Sequence, residues 1–510
     1  MSSPRVALSA FLPLVCWLAA VAPLTVWAWS TGTIAAAAFA VATSILWATG
    51  TRAAALWVRS VRQRPRPADA PQHDPAPLRV ALLFCVADDF DAAAVAVSMR
   101  QDVDVDTVIL DDSRDPRLRE QIDRFAEESG CRVVRRSDRT GFKAGNLNHA
   151  LRVLRGSYDA YAVCDSDVVL LPGFVRACAA ELADPAVAVA QATPVAAPGR
   201  SEFARYFGPL LATHLTVTRR GRAGHGVTAF LGRGALLRAA ALDDVGGVPE
   251  VVAEDLALTV ALRRRGWRLV DADIAFTEDF PVDYRAFRTQ LRKTAEGAVE
   301  FLRRPAVRGL PVREAIDVMG ETALVPGAAL AGAAAIVSGA ALAAGGSVPP
   351  LWALMLSALS GLMPLLPEAV RRARSHRLAA GIAFAIVAGA LYASTMFVVV
   401  AAVVGGLLGR RAVFRVTPKR AVSLGVRQRI DLFRAELLVV PLLAGGAVVA
   451  SGSVWAAGGV AWPLALAVAF ALPVVAPAAP GAPARRHPAS RAGIAALPAA
   501  DDRSGVGARA

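Results

Sequence analysis

Residues 161–167 read Tyr-Ala-Val-Cys-Asp-Ser-Asp. A short apolar run bounded by turn-forming residues is the pattern of a strand buried on both faces, and this one ends on two carboxylates. The same pattern stands earlier, where residues 107–113 read Thr-Val-Ile-Leu-Asp-Asp-Ser. Working outward, Val80–Val86, Thr107–Leu110, Arg132–Val134 and Tyr161–Cys164 read as strands, separated by helical stretches such as Pro116–Ser129 and Asn146–Leu154. Strands alternating with helices predict an α/β domain built on a mostly parallel sheet covered on both faces. Its expected span is 79–304.

On either side of that span the composition changes. Of 510 residues, 55% are hydrophobic and 19% charged, against roughly 45–50% apolar and 25% charged in ordinary soluble domains. The excess collects at the two ends, which excludes a wholly soluble chain and a disordered one. A bilayer crossing needs about 20 apolar residues. Segments at about 6–29 and 31–58 predict an N-terminal transmembrane hairpin over 1–61, followed by a Pro-rich linker over 62–78. After the α/β domain, an interfacial amphipathic segment is expected at 305–321. Transmembrane or interfacial helices then follow over 322–475, at about 322–344, 351–366, 378–408, 437–453 and 454–475. The Ala/Pro/Gly-rich tail, 476–510, is expected to be disordered.

Lys and Arg number 56 against 42 Asp and Glu, a net charge of +14. The excess sits beside apolar runs: Arg59, Arg62, Arg64 and Arg66; Arg371, Arg372, Arg374 and Arg377; and the basic loop 409–420. Cations there mark cytoplasmic loops and suit anionic lipid heads, so membrane lipids are the expected partner and nucleic acid is not. Three complete crossings after the domain would carry loop 409–420 outside. One of them, part of 378–408, is therefore expected to lie in the interface or re-enter. Five cysteines without CxxC spacing suggest neither a disulfide framework nor a zinc site.

Asp111 and Asp112 close the first acidic strand, at the carboxyl edge where parallel sheets hold ligands; Asp and Ser also suit an ordinary turn. Asp165 and Asp167, two apart at a strand end, are expected to point the same way and approach one hard cation, Mg²⁺ or Mn²⁺. Such a cation offsets the charge of a departing diphosphate. Between the two pairs, Gly141–His149 places Lys143 as a point charge for phosphate, or simply starts a helix. Glu254 and Asp255 head another helical run, where they either complement its dipole or supply a general base.

In order, Leu110–Ser113, Gly141–Leu151, Cys164–Phe174, Ala229–Gly247 and Ala253–Trp267 closely resemble the motifs of membrane-embedded family-two glycosyltransferases. Those enzymes are cellulose-synthase-like and hyaluronan-synthase-like and carry a GT-A catalytic domain. Phe414–Lys419 resembles the FxVTxK gating-loop motif of cellulose synthases. The resemblance implies that Asp111, with Asp112 beside it, contacts the uridine of a UDP-sugar and that Lys143 sits near the nucleotide. It implies that Asp165 and Asp167 bind the donor through the metal and that Asp255, next to Glu254, is the catalytic base. Thr417 and Lys419 would close over the nucleotide, which requires loop 409–420 to be cytoplasmic. Asp88 is a weaker nucleotide candidate, and His225 a candidate for the acceptor path, although loop histidines are more often solvated.

One motif departs. Where the family has QxxRW, this chain has Gln290, Leu291, Arg292, Lys293 and Thr294. Gln290 is kept, and Lys293 keeps the positive charge for diphosphate without the arginine fork. Thr294 replaces the tryptophan that would offer a sugar ring a platform, which weighs against processive polymerisation. The resemblance implies an inverting, metal-dependent hexosyltransferase of the inner or plasma membrane, its catalytic domain cytoplasmic, extending a β-glycan from UDP-sugar. Two alternatives stand beside it: single transfer to a lipid acceptor, and a nucleotide-sugar-binding transporter or receptor without chemistry. An export partner would be a further subunit that the sequence does not identify.

Overall fold

A computed structural model describes residues 4–63, 77–197, 201–223, 226–304, 307–413, 417, 426–432, 434 and 449. Among these residues, eight strands form one sheet: β1 (Val80–Val86), β2 (Asp106–Asp111), β3 (Arg132–Val134), β4 (Ala160–Asp165), β5 (Val169–Leu170), β6 (Val187–Ala196), β7 (Ala235–Arg238) and β8 (Arg268–Glu278). Their order is β3-β2-β1-β4-β7-β6-β8-β5. The unbroken apolar runs are explained by burial on both faces. In β1, Ala81 and Leu83 pack into one core while Val80, Leu82 and Phe84 pack into the other.

The expected α/β architecture is present, but only half of the sheet is wholly parallel. β3, β2, β1 and β4 run parallel, whereas β7 is antiparallel to both β4 and β6, and β5 to β8. Chain routing is the reason. β6 ends on the carboxyl edge, the helix Glu202–Arg222 follows, and β7 starts from that same edge, so it must run back. Strand order reverses at β1, with β2 on one side and β4 on the other. Ligands of such sheets bind in the crevice at this switch. Register sets Cys85 against Asp165 and Val86 against Asp111, so both acidic strand ends open on one crevice.

Among the described residues, five helices are long and apolar enough to cross a membrane: Leu12–Thr31, Ile34–Arg62, Leu324–Ala344, Leu351–Ser375 and Leu378–Leu407. They mark the chain as a membrane protein and coincide with the first five expected segments. Apart from residue 449, the segments at 437–453 and 454–475, the tail 476–510 and most of the linker lie outside the described residues. The fifth helix is interrupted at Thr395 into Leu378–Ser394 and Met396–Leu407. Its second half lies along the helix Tyr284–Leu302, where Val399, Ala402 and Val403 pack on Ala295 and Val299. Both ends of that contact are pinned: Tyr284 Oη and Ser394 Oγ are 2.7 Å apart, and Arg303 donates to the Gly406 carbonyl at 2.6 Å. The helix Glu202–Arg222 rests on the hairpin, so closely that a Cβ on Gly221 would stand 2.4 Å from the Leu56 carbonyl oxygen. The α/β domain is thereby fixed to membrane helices along two of its own helices.

Candidate active site

The two acidic strand ends differ. Asp111, the last residue of β2, is buried, with one oxygen taken by Arg135 Nε at 2.6 Å and the other by the Ser113 amide at 2.8 Å. Asp112 is held by both Arg136 Nε and Nη2, at 2.9 and 2.6 Å. Arg136 also donates to the carbonyls of Thr140 and Phe142, which ties this pair to the turn leading into the helix Phe142–Val153. That turn is tight. Gly141 has φ 72°, and a Cβ on Gly145 would stand 2.1 Å from the Thr140 carbonyl oxygen. Asp88, in the left-handed region at φ 61°, accepts the Arg114 and Asp115 amides and so stitches the loops after β1 and β2 together.

The second acidic end is different in kind. Lys143 Nζ lies 2.5 Å from Asp165 Oδ1 and 2.8 Å from the Gly232 carbonyl oxygen. Gly232 in turn backs onto the acid pair, since a Cβ there would stand 3.6 Å from Asp255 Cβ and 3.8 Å from Glu254 Oε1. Lys143, Asp165, Glu254 and Asp255 are thus gathered around one glycine. Lys293 joins from the helix Tyr284–Leu302, in the electrostatic reach of Glu254, Asp165 and Asp255. Four separated sequence motifs therefore meet in one cluster around Gly232. Asp167 sits beyond the strand, in a turn closed by the Val168 amide on the Asp165 carbonyl at 3.1 Å. Strand alternation therefore does not orient Asp165 and Asp167 together, contrary to expectation; the turn does their positioning.

The charges in the cluster tune one another. Burial lowers the Lys143 pKa, but Asp165, Cys85 and Glu254 outweigh it and hold the ammonium well above its usual range. Burial, reinforced by Asp255 and opposed by Lys143 and Lys293, pushes Glu254 up to about 7. Burial likewise lowers Lys293, against the pull of Glu254 and Asp165. Asp255 is half-buried and accepts the Leu256 amide on Oδ1 at 2.7 Å. Gln290 lies on the same helix as Lys293, and its buried Oε1 has no hydrogen-bond partner among the described residues. Thr294 is exposed. Thr417 is half-buried in a loop, while Lys419 and His225 lie outside the described residues.

Sequence reasoning counted Ala229–Gly247 among the motifs but gave no role to the loop at its start, which organises the cluster. Gln191, fully buried in β6, accepts the Leu231 amide and donates to the carbonyls of Arg233 and Gly234. Thr259 Oγ1 accepts the Phe230 amide at 3.0 Å and donates to the Asp255 carbonyl at 2.8 Å. These two side chains clamp residues 230–234 between β6 and the helix Glu254–Arg264. The available signal was Gly232-Arg233-Gly234 itself, a charged residue between two glycines just before a strand.

Among the described residues, no three or more His, Cys, Asp or Glu side chains are grouped to hold a metal. The donor set of Asp165 and Asp167 nonetheless fits Mg²⁺ or Mn²⁺, because such ions take one or two protein carboxylates and complete their shell with phosphate and water.

The family profile described as glycosyl transferase family group 2 matches residues 162–407. Among curated proteins, Cellulose synthase 2 of Novacetimonas hansenii is 34% identical over 171 residues, covering 31% of this chain and 10% of its own length. The Cellulose synthase 1 catalytic subunit of Komagataeibacter xylinus is 32% identical over 175 residues, covering 32% and 22%. A probable glucomannan 4-beta-mannosyltransferase of Arabidopsis thaliana is 26% identical, covering 38% of each chain. The chain thus spans well under half the length of these relatives. Among solved structures, a mannosyltransferase of Pyrobaculum calidifontis in complex with GDP-Man and Mn²⁺ aligns over 68% of this chain and 98% of its own, at 20% identity and TM-score 0.46.

Proposed function

We propose that this chain, whose residues 162–407 match the profile described as glycosyl transferase family group 2, is a membrane-embedded inverting glycosyltransferase that moves a sugar from a UDP-sugar onto a growing β-glycan. The observation that carries the reading is the gathering of Lys143, Asp165, Glu254, Asp255 and Lys293 around Gly232. Donor-binding and proton-accepting groups must lie within one substrate's reach of each other for in-line transfer, and here they do.

In this reading Asp255 takes the proton of the acceptor hydroxyl as that oxygen attacks the anomeric carbon. Gly232 keeps the space beside its Oδ2 free of side chain. Lys143 and Lys293 face the diphosphate as its bond to the sugar breaks, in a site where burial makes each charge count for more. Asp165 and Asp167 would hold Mg²⁺ or Mn²⁺, which when bound offsets negative charge on the leaving group. Asp111 and Asp112, fixed by Arg135 and Arg136, border the uridine from set positions. Glu254 tunes the pair, and Gln290 offers the acceptor its buried carbonyl oxygen.

The same reading places the domain on the cytoplasmic side of the inner or plasma membrane, where Thr417 and Lys419 can close over the nucleotide. The basic runs flanking the membrane helices support this side. So does the Met396–Leu407 segment, which lies along a helix of the active site and need not cross. Single transfer to a lipid acceptor is the second reading, favoured by exposed Thr294 in the place of the platform tryptophan. Incubation with labelled UDP-sugar and sizing of the product separates them. A ladder or a high-mass product supports the glycan synthase, one added sugar on an extractable lipid supports the second, and unlabelled acceptor in every fraction contradicts both.

A further inference from the structure

Among the described residues, Arg233 is a cation beside the cluster that the mechanism above does not use, and its setting is closely determined. Both neighbours are glycines with positive φ, 79° at Gly232 and 61° at Gly234. A Cβ on Gly234 would collide with the Phe276 ring at 2.2 Å, so the turn admits no larger residue there. Gln191 fixes the backbone on both sides of Arg233. The guanidinium is then clamped by its Nε and Nη2 to both oxygens of Glu278, itself buried at the end of β8, while Nη1 donates to the Leu231 carbonyl at 2.9 Å.

A guanidinium carries five N–H donors. Glu278 and Leu231 take three of them, which leaves two, one on each terminal nitrogen, without a protein acceptor among the described residues. The side chain is a quarter exposed. Arg233 Nε also stands 3.9 Å from Asp165 Oδ2, which places the group at the carboxylates assigned above to the donor. A planar, permanently charged group with two N–H donors to spare matches the geometry of phosphate oxygens better than that of a sugar hydroxyl. Glu278 keeps it from collapsing fully onto Asp165.

We propose that Arg233 is a donor-binding residue that grips the diphosphate of the nucleotide, and that Glu278 is its positioning residue. This inference rests on the glycosyltransferase reading and adds a specificity element to it: affinity for the diphosphate, separate from affinity for the nucleoside. Lys143 and Arg233 then hold phosphate from the two sides of Asp165.

The test is binding to the full chain in detergent, with UDP by calorimetry and uridine by saturation-transfer NMR, for wild type, Arg233→Lys, Arg233→Ala and Glu278→Gln. Loss of a charge-assisted pair predicts about 10- to 100-fold weaker UDP binding for Arg233→Ala. Arg233→Lys should recover part of it, Glu278→Gln should lose less, and uridine binding should stay unchanged in all three. A variant that binds UDP as wild type does would overturn the inference and leave the transferase reading standing. Equal loss of UDP and uridine would also overturn it, by showing a purely structural role. Wild-type protein that binds no nucleoside diphosphate, UDP or GDP, would overturn both.

Discussion

The two acidic strand ends treat their carboxylates in opposite ways. At the end of β2, Asp111 and Asp112 are each paired with an arginine, Arg135 serving Asp123 as well, and Asp88 is absorbed in capping backbone amides. At the end of β4, Asp165 shares two lysines with Glu254 and Asp255, and burial together with these shared charges moves the proton affinities of Lys143, Glu254 and Lys293. A carboxylate matched to its own arginine is a structural fastener. A cluster whose members are shared can respond when a charged substrate enters. Identical residue types at identical strand ends thus serve different purposes, and the partners decide which.

The comparison breaks most visibly at Asp255. Asp255→Asn should cut turnover by roughly 10²- to 10⁴-fold, the usual worth of a general base, while UDP affinity stays near wild type. Asp111→Asn should do the reverse. With a buried charged partner removed, it should lose about 1–3 kcal/mol of stability, read as a lower unfolding midpoint, and keep kcat per folded molecule within a few-fold. If Asp111→Asn were stable and inactive, the division between the two strand ends would fail.

Glu254 sharpens the contrast through pH. Burial raises its pKa from 4.5 to about 7, so the fold disfavours its ionised form. That cost is absent below pH 4.5, grows as pH rises and is complete above about 7. Glu254→Gln should therefore gain midpoint relative to wild type at pH 8 and show no such gain at pH 4. Its rate profile should also lose the bend near pH 7. Thr294→Trp is the smallest change expected. Adding the ring should lengthen the labelled product while altering the rate of UDP release by no more than a few-fold.

Much of this site was legible in the sequence because each motif carries its own local signal. Apolar runs ending in Asp111 and Asp165 reveal strands whose carboxyl ends hold acids, and Gly141 before Lys143 reveals a tight turn into a helix. The partners of those acids were not legible. Arg135 and Arg136 follow β3 as an ordinary basic pair, and only the β2–β3 register brings them against Asp111 and Asp112. The antiparallel return of β7 depends on where the helix Glu202–Arg222 leaves the chain, a tertiary matter with no periodic trace. Arg233 was hidden for the same reason: its clamp, Glu278, is 45 residues away on the last long strand. In the membrane region, the apolar segments expected from the sequence coincide with five helices long and apolar enough to cross a membrane among the described residues. The break at Thr395 has neither proline nor glycine to announce it and comes into view only through the packing of Met396–Leu407 on Tyr284–Leu302.

The most direct test of the account is UDP release by the full chain in detergent, offered a panel of UDP-sugars with Mg²⁺ or Mn²⁺, wild type beside Asp255→Asn. The account predicts release with one sugar, lost in the variant while UDP still binds. Release that persists unchanged in Asp255→Asn would contradict it, since the shared cluster around Gly232 would then not be where the chemistry happens.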